Sequence, residues 1–250
     1  MFIMTTTANQ WQTIDIAGKP AQFFLPNDTA RGTIIFLHNA ACQPLSVSPI
    51  YTQLLQEHRL NCVCPWGGAT WWTDRIVPDY DAALSAERYV LDAVVPFARQ
   101  HFGLGSQAFG LLGISMGGQG ALRLAFKRPD LFPVVAAIAP AIEYHEFYGQ
   151  GSPIDGMYSS KEQCRQDTVP MHVNPTALPP HVFFCVDPDD DHWQRGADRL
   201  HEKLLALGVA HECDLITQAG GHRWSYFDAL APRACAFVAR GLAHEARRLL

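Results

Sequence analysis

The chain has 250 residues, of which 48% are hydrophobic and 17% charged, and a formal net charge of −5. That is enough for one large α/β domain spanning 1–250 and short for two. Scattered basic residues with no Lys/Arg run argue against nucleic acid or an anionic membrane as the main partner, so the expected partner is a small, largely uncharged molecule. Nothing in the sequence bears on oligomeric state.

The run Met1–Thr7 has no basic segment followed by a sustained apolar one, and no later run approaches the length of a membrane span. A soluble cytoplasmic protein is therefore expected. Seven cysteines, at Cys42, Cys62, Cys64, Cys164, Cys185, Cys213 and Cys235, show no C-x-x-C pairing. They are expected to be reduced and mostly buried, with no metal site. Cys62 and Cys64 lie two apart on an expected strand and share one face, which suits packing better than redox chemistry.

In chain order, Trp11–Ile16 and Gln22–Leu25 read as an antiparallel pair. Thr33–His38 reads as a central strand, Pro49–His58 as a helix with Tyr51, Leu54 and Leu55 on one face, and Asn61–Pro65 as the next strand. Ala83–Phe102 is a long amphipathic pattern with Pro96 placed to kink it. Ala108–Ile114 is apolar without alternation, as a strand covered on both faces should be. Gly120–Arg128 is helical and stops at Pro129. Strands follow at Val134–Ala139, Val182–Val186 and His211–Ile216, with helices at Arg195–Leu207 and Asp228–Arg247. The stretch 143–180 carries Tyr144, Phe147, Tyr148, Met157 and Tyr158 without period and reads as a lid-like excursion over the site. Strand and helix alternate throughout, which predicts a mostly parallel sheet with helices on both faces.

Gly113-Ile114-Ser115-Met116-Gly117 sits between the apolar run and the helix that follows it. A serine at the apex of a strained strand-to-helix turn needs glycines on either side, because Cβ atoms there would collide. Ser115 is thus the candidate nucleophile. Its hydroxyl is too weakly acidic to attack a carbonyl unaided and requires an imidazole base held by a carboxylate. His222 follows the flexible pair Gly220-Gly221 in a loop before the last helix, the position suited to that base. The carboxylate should come from the loop after Val182–Val186, where Asp187, Asp189, Asp190 and Asp191 cluster. Four carboxylates on one loop repel, so a purely structural account would call for a cation, although the spacing is not that of an EF-hand. The backbone N–H groups of Met116 and Ala40 are the candidate oxyanion donors, the latter from Leu37-His38-Asn39-Ala40-Ala41, with His38 as a structural anchor. Trp71, Trp72, Trp193, Trp224 and Tyr226 are candidates for lining an acyl or alcohol pocket. No cofactor is implied, because such a triad supplies both nucleophile and proton relay.

Leu37-His38-Asn39, Trp71-Trp72-Thr73-Asp74, Gly113–Leu122, Asp191-His192-Trp193 and Gly220–Asp228 together resemble the esterase D-like branch of the α/β hydrolases. That branch includes S-formylglutathione hydrolases, short-chain acyl esterases and related mycolyltransferases. The resemblance runs from about Ile34 to Phe237 and implies an α/β-hydrolase fold and ester or thioester hydrolysis. The family's spacing, counted back from Leu207-Gly208-Val209, implies Asp191 as the acid, with Asp190 in reserve. The chain departs from the family where an expected His-Gly reads His38-Asn39. Two other readings stay open on the sequence: an acyltransferase using the same acyl-enzyme, and a non-catalytic binding protein that keeps the fold.

Overall fold

Apolar runs without polar alternation become the inside of one eight-stranded sheet, because a strand covered on both faces has no solvent side. The computed structural model describes residues 11–104 and 109–248. Its strands are β1 (Trp11–Ile16), β2 (Lys19–Phe24), β3 (Gly32–Leu37), β4 (Leu60–Pro65), β5 (Gly110–Ile114), β6 (Val134–Ile138), β7 (His181–Cys185) and β8 (Glu212–Asp214). Met1–Thr7 and Ala108, the latter assigned above to the strand before Ser115, lie outside the described residues.

The strand order is β1-β2-β4-β3-β5-β6-β7-β8. β2 pairs antiparallel with both β1 and β4, and every other pairing is parallel. β8 is shorter than the expected 211–216. The Asp214 carboxylate accepts the N–H groups of Ile216 and Thr217 at 3.2 and 3.0 Å, turning the chain off the sheet edge.

The helices are α1 (Pro49–His58), α2 (Ala86–Tyr89), α3 (Val95–Phe102), α4 (Met116–Lys127), α5 (Ile154–Met157), α6 (Lys161–Arg165), α7 (Gln194–Ala206) and α8 (Trp224–Arg248). α1 and α8 pack on one face of the sheet; α2, α3, α4 and α7 pack on the other. The long pattern over 83–102 is realised as α2 and α3 joined by a π turn over Val90–Val94. Pro96 has no N–H to give and crowds the turn before it, and the wider turn absorbs the mismatch. Among the described residues, no helix is long and apolar enough to cross a membrane.

The excursion over 143–180 is a string of short helices, α5, α6 and 3₁₀ turns at Tyr144–Phe147 and Val169–His172, too brief to print a period in the sequence. Tyr144, Ile154, Cys164 and Val169 are fully buried and join the core on the α4 side. Arg123 of α4, also buried, bonds Asp167 at 2.5 Å and Glu87 at 2.9 Å. Burial works against the charge on Asp167, but bonds from His172, Arg123 and Tyr158 hold its carboxyl well below the usual range. The segment is therefore stitched down along its length.

Parallel pairing brings the carboxyl ends of the inner strands to one edge: Leu37 lies opposite Gly113, and Ile138 opposite both Ile114 and Cys185. The loops leaving β3, β5, β7 and β8 converge there, in the crevice where open α/β sheets place their sites.

Candidate active site

Ser115 adopts φ 58° and ψ −118°, a conformation that costs a non-glycine residue of order 1–3 kcal/mol. The strain is held from several sides. Ser115 N–H donates to Ile138 O at 2.9 Å, and Ser115 O accepts from Gln119 and Ala141, each at 3.1 Å. A Cβ at Gly117 would fall inside the Leu37 carbonyl, and one at Gly113 inside the carbonyl of Gly117. The glycines of G-x-S-x-G are thus steric requirements of the turn. α4 starts at Met116, whose N–H belongs to the first helical turn and has no partner within the helix.

The loop after β8 turns through Gly220 and Gly221, both in the left-handed region at φ 99° and 77°. Asp187, fully buried, fastens it: its carboxylate accepts the N–H groups of Ala219 at 2.7 Å, Gly221 at 2.9 Å and Asp189 at 2.9 Å. Burial opposes the charge on Asp187, yet those N–H donors hold its carboxyl below the usual range. His222 then stands between two partners. Its Nε2 lies 2.8 Å from Ser115 Oγ and its Nδ1 lies 2.7 Å from Asp190 Oδ2. A carboxylate only accepts, so Nδ1 carries the proton and Nε2 is left to accept from the serine hydroxyl.

The carboxylate at His222 belongs to Asp190, which corrects the expectation of Asp191. Asp190 is 2% exposed, whereas Asp191 is exposed to solvent. The reason is local. Asp190 Oδ1 accepts the N–H groups of His192 and Trp193, each at 3.2 Å, and its carbonyl accepts Gln194 N–H at 3.1 Å, so this aspartate closes the turn that leads into α7. That turn fixes the side chain with its second oxygen turned to the imidazole. The aspartate cluster also needs no cation to explain it: the buried oxygens of Asp187 and Asp190 are occupied by backbone N–H groups and by His222.

In the loop after β3, His38 is an anchor, as the sequence suggested. Its Nδ1 donates to Asn39 O at 2.8 Å and its Nε2 accepts Gly67 N–H at 2.9 Å. Burial pushes the imidazole down to about 4, against the raising effect of the Asn39 carbonyl. Asn39, where the family pattern has glycine, uses its amide as a brace. Nδ2 donates to Gln43 Oε1 at 3.0 Å, Gln43 N–H returns to Asn39 Oδ1 at 3.3 Å, and Trp224 Nε1 also donates to Gln43 Oε1 at 3.0 Å. The loop that carries Ala40 is thereby tied to the start of α8, two residues from His222. Ala40 itself sits exposed in the turn.

The aromatic candidates divide. Trp71 stacks on Tyr144 with ring centres 5.2 Å apart and meets Trp193 edge-on at 6.4 Å; Trp193 also lies 6.4 Å from His222. Phe147 completes this wall, 5.3 Å from Trp193. Trp72 and Tyr226 do not line a pocket: both are fully buried. Trp72 Nε1 donates to His38 O at 3.1 Å, and Tyr226 belongs to the core under α8. Trp224 is half-buried and serves the Gln43 brace. Consecutive residues Trp71 and Trp72 both have positive φ, 55° and 52°, held in part by the Gln119 side-chain amide donating to Trp71 O. The sequence offered Asp187 as one of four candidate acids and Tyr144 and Phe147 as part of the excursion; nothing in it placed Gln43 or Gln119 at the site. Only the aromatic content of the excursion hinted at Tyr144 and Phe147.

A family model described as "Putative esterase" matches residues 20–237. No curated protein sequence matches the chain. Among solved structures, an S-formylglutathione hydrolase from Agrobacterium tumefaciens superposes with a TM-score of 0.75 at 18% identity, covering 95% of this chain and 98% of that one. A ferulic acid esterase gives 0.73 at 16% identity over 93% and 99%. The fluorophosphonate-binding serine hydrolase FphF of Staphylococcus aureus gives 0.68 at 18% over 88% and 92%. The chain belongs to the esterase family, has the α/β-hydrolase fold and is an ester hydrolase.

Proposed function

We propose that the chain hydrolyses carboxylic esters and thioesters of small acyl groups through an acyl-enzyme on Ser115. The observation that carries this reading is His222 bridging Ser115 Oγ at 2.8 Å and Asp190 at 2.7 Å. As Oγ bonds to the acyl carbon, its proton passes to His222 Nε2, and Asp190 stabilises the resulting imidazolium. The carbonyl oxygen gains negative charge and is met by the N–H groups of Met116 and Ala40. Collapse of the tetrahedral species breaks the ester or thioester bond, and the departing alkoxide or thiolate takes the proton from His222. Water then attacks the acyl-enzyme, giving its proton to His222, and the acid leaves as the proton returns to Ser115 Oγ. The apolar part of the substrate lies against Trp71, Trp193 and Phe147. All seven cysteines are free, which suits a reducing compartment such as the cytoplasm.

Ser115→Ala is expected to abolish turnover of p-nitrophenyl acetate and labelling by a fluorophosphonate probe, while the fold is retained. Retention of either signal by the variant rejects Ser115 as nucleophile. A graded series of ester and thioester chain lengths then measures how much acyl group the aromatic wall accepts.

A further inference from the structure

Away from Ser115, α7 ends in a turn that folds the chain back along itself. Val209 N–H bonds Leu204 O at 2.9 Å and Gly208 N–H bonds Leu205 O at 3.0 Å, with Gly208 at φ 67°. This paired closure, with Leu204 and Val209 both buried, lays the run into β8 beside the last turns of α7. His211 and Cys213 are two apart on that run and so share one side of it. His201 of α7 faces them. His201 Nδ1, His211 Nε2 and Cys213 Sγ all lie within 4.8 Å of one another. The first two are 2.8 Å apart, and Cys213 Sγ lies 3.3 Å from His201 Nδ1.

The protons in this cluster do not match its contacts. His211 Nδ1 lies 2.8 Å from Val209 O, and a carbonyl only accepts, so Nδ1 carries the proton and Nε2 presents a bare lone pair. Phe184 stacks on the same ring with centres 5.8 Å apart and planes 7° apart, which fixes its direction. If His201 Nδ1 donates to His211 Nε2, it has no lone pair for the Cys213 thiol. If it accepts from the thiol, two lone pairs face each other across 2.8 Å. With neutral imidazoles, the cluster makes one good hydrogen bond out of two contacts.

A cation removes that conflict. We propose that His201, His211 and Cys213 form a binding site for a borderline first-row transition-metal dication, with zinc as the ion of choice and a fourth position left to water. Two imidazole nitrogens and a thiolate are the donor set such ions prefer. The Val209 carbonyl supplies the outer hydrogen bond that orients a ligating histidine. Tetrahedral zinc with bonds of about 2.0–2.3 Å separates its donors by about 3.3–3.6 Å, so the side chains need shift by only about 1 Å. All three ligands are partly exposed, which gives the ion an entry path. Bound there, the metal cross-links the end of α7 to β8, the strand that leads to the His222 loop.

The test uses the chelator-treated full-length protein, titrated with Co2+ as a spectroscopic stand-in and then with Zn2+. The site predicts one Co2+ per chain, a thiolate-to-cobalt charge-transfer absorption, tetrahedral d–d bands displaced by Zn2+, and a rise in Tm on adding Zn2+. Cys213→Ser is expected to remove the charge-transfer absorption, and His201→Gln to weaken Co2+ binding at least about tenfold. His244→Gln, in the separate group His181, His244 and Glu245, is expected to change neither. Absence of a charge-transfer band in the unsubstituted protein overturns the proposal, as does a band that survives Cys213→Ser or an affinity indifferent to His201→Gln. Should Cys213→Ser fail to fold, the unsubstituted spectrum and the His201→Gln affinity decide. Ester turnover by the variants is a separate reading, so failure of the metal site leaves the Ser115 assignment standing.

Discussion

The loops leaving β5 and β7 both deliver a side chain to His222, yet they are held by different forces. At the end of β5 the constraint is steric: Gly117 abuts the Leu37 carbonyl so closely that no Cβ fits, and Ser115 is driven to φ 58°. At the end of β7 the constraint is a set of hydrogen bonds, in which Asp187 fastens the His222 loop and Asp190 closes the turn into α7 while reaching the imidazole. Sterics dictate residue type at fixed positions and leave a motif. Hydrogen bonding accepts any of several neighbouring aspartates until the backbone is known.

The two adjacent carboxylates, changed in parallel, should give the largest difference. Asn keeps an oxygen to accept from His192 and Trp193, so Asp190→Asn should fold, but it no longer holds His222 in the required tautomer with a compensating charge. Its kcat is expected to fall by on the order of 10⁴-fold. Asp191 is exposed, and Asp191→Asn should leave kcat/KM within about twofold. Steady-state kinetics on one ester decide between them, and the reverse pattern would restore Asp191 as the acid.

The steric side of the comparison is tested by Gly117→Ala. The added methyl meets backbone, which cannot rotate away, so β3 and α4 have to separate. A loss of about 3 kcal/mol or more in urea unfolding is expected, at the upper end of overpacking costs. A stable and fully active Gly117→Ala enzyme would show that the loops have more slack than the turn implies.

What was legible in the sequence follows the same division. The inner strands were readable because burial on both faces removes alternation, and Ser115 and His222 because glycines must stand beside them. The carboxylate against His222 stands one residue from the expected one, since a spacing rule counted along α7 cannot see which aspartate the turn before that helix aims at the imidazole. The excursion showed no period because helices of four or five residues complete barely one turn. Trp72 and Tyr226 looked like pocket residues because an aromatic ring carries no mark of which side of the sheet it faces. The His201, His211 and Cys213 cluster stayed hidden because its first ligand lies ten residues away, across a turn whose closure only the fold reveals.

The loop after β3 combines both kinds of restraint, since its Leu37 carbonyl abuts Gly117 and its His38 is held by hydrogen bonds, and acid should separate them. His38 is neutral in the folded protein down to about pH 4, because burial penalises the imidazolium, whereas in the unfolded chain it takes up a proton near 6.5. Between these values the unfolded state binds more protons, so stability rises with pH. His38 therefore makes its full contribution above about pH 6.5 and loses it as pH falls toward 4, by about 3 kcal/mol over the window. His38→Gln has no proton to gain. At pH 7 the variant should be the less stable, having lost the ring's contacts with Asn39 and Gly67, and that gap should narrow on acidification by about 1.4 kcal/mol per pH unit. Urea unfolding of both proteins at pH 7 and pH 4.5 measures the gap. A gap that stays constant would mean the imidazole is protonated in place and that sterics at Gly117, with little help from His38, position the loop that carries Ala40.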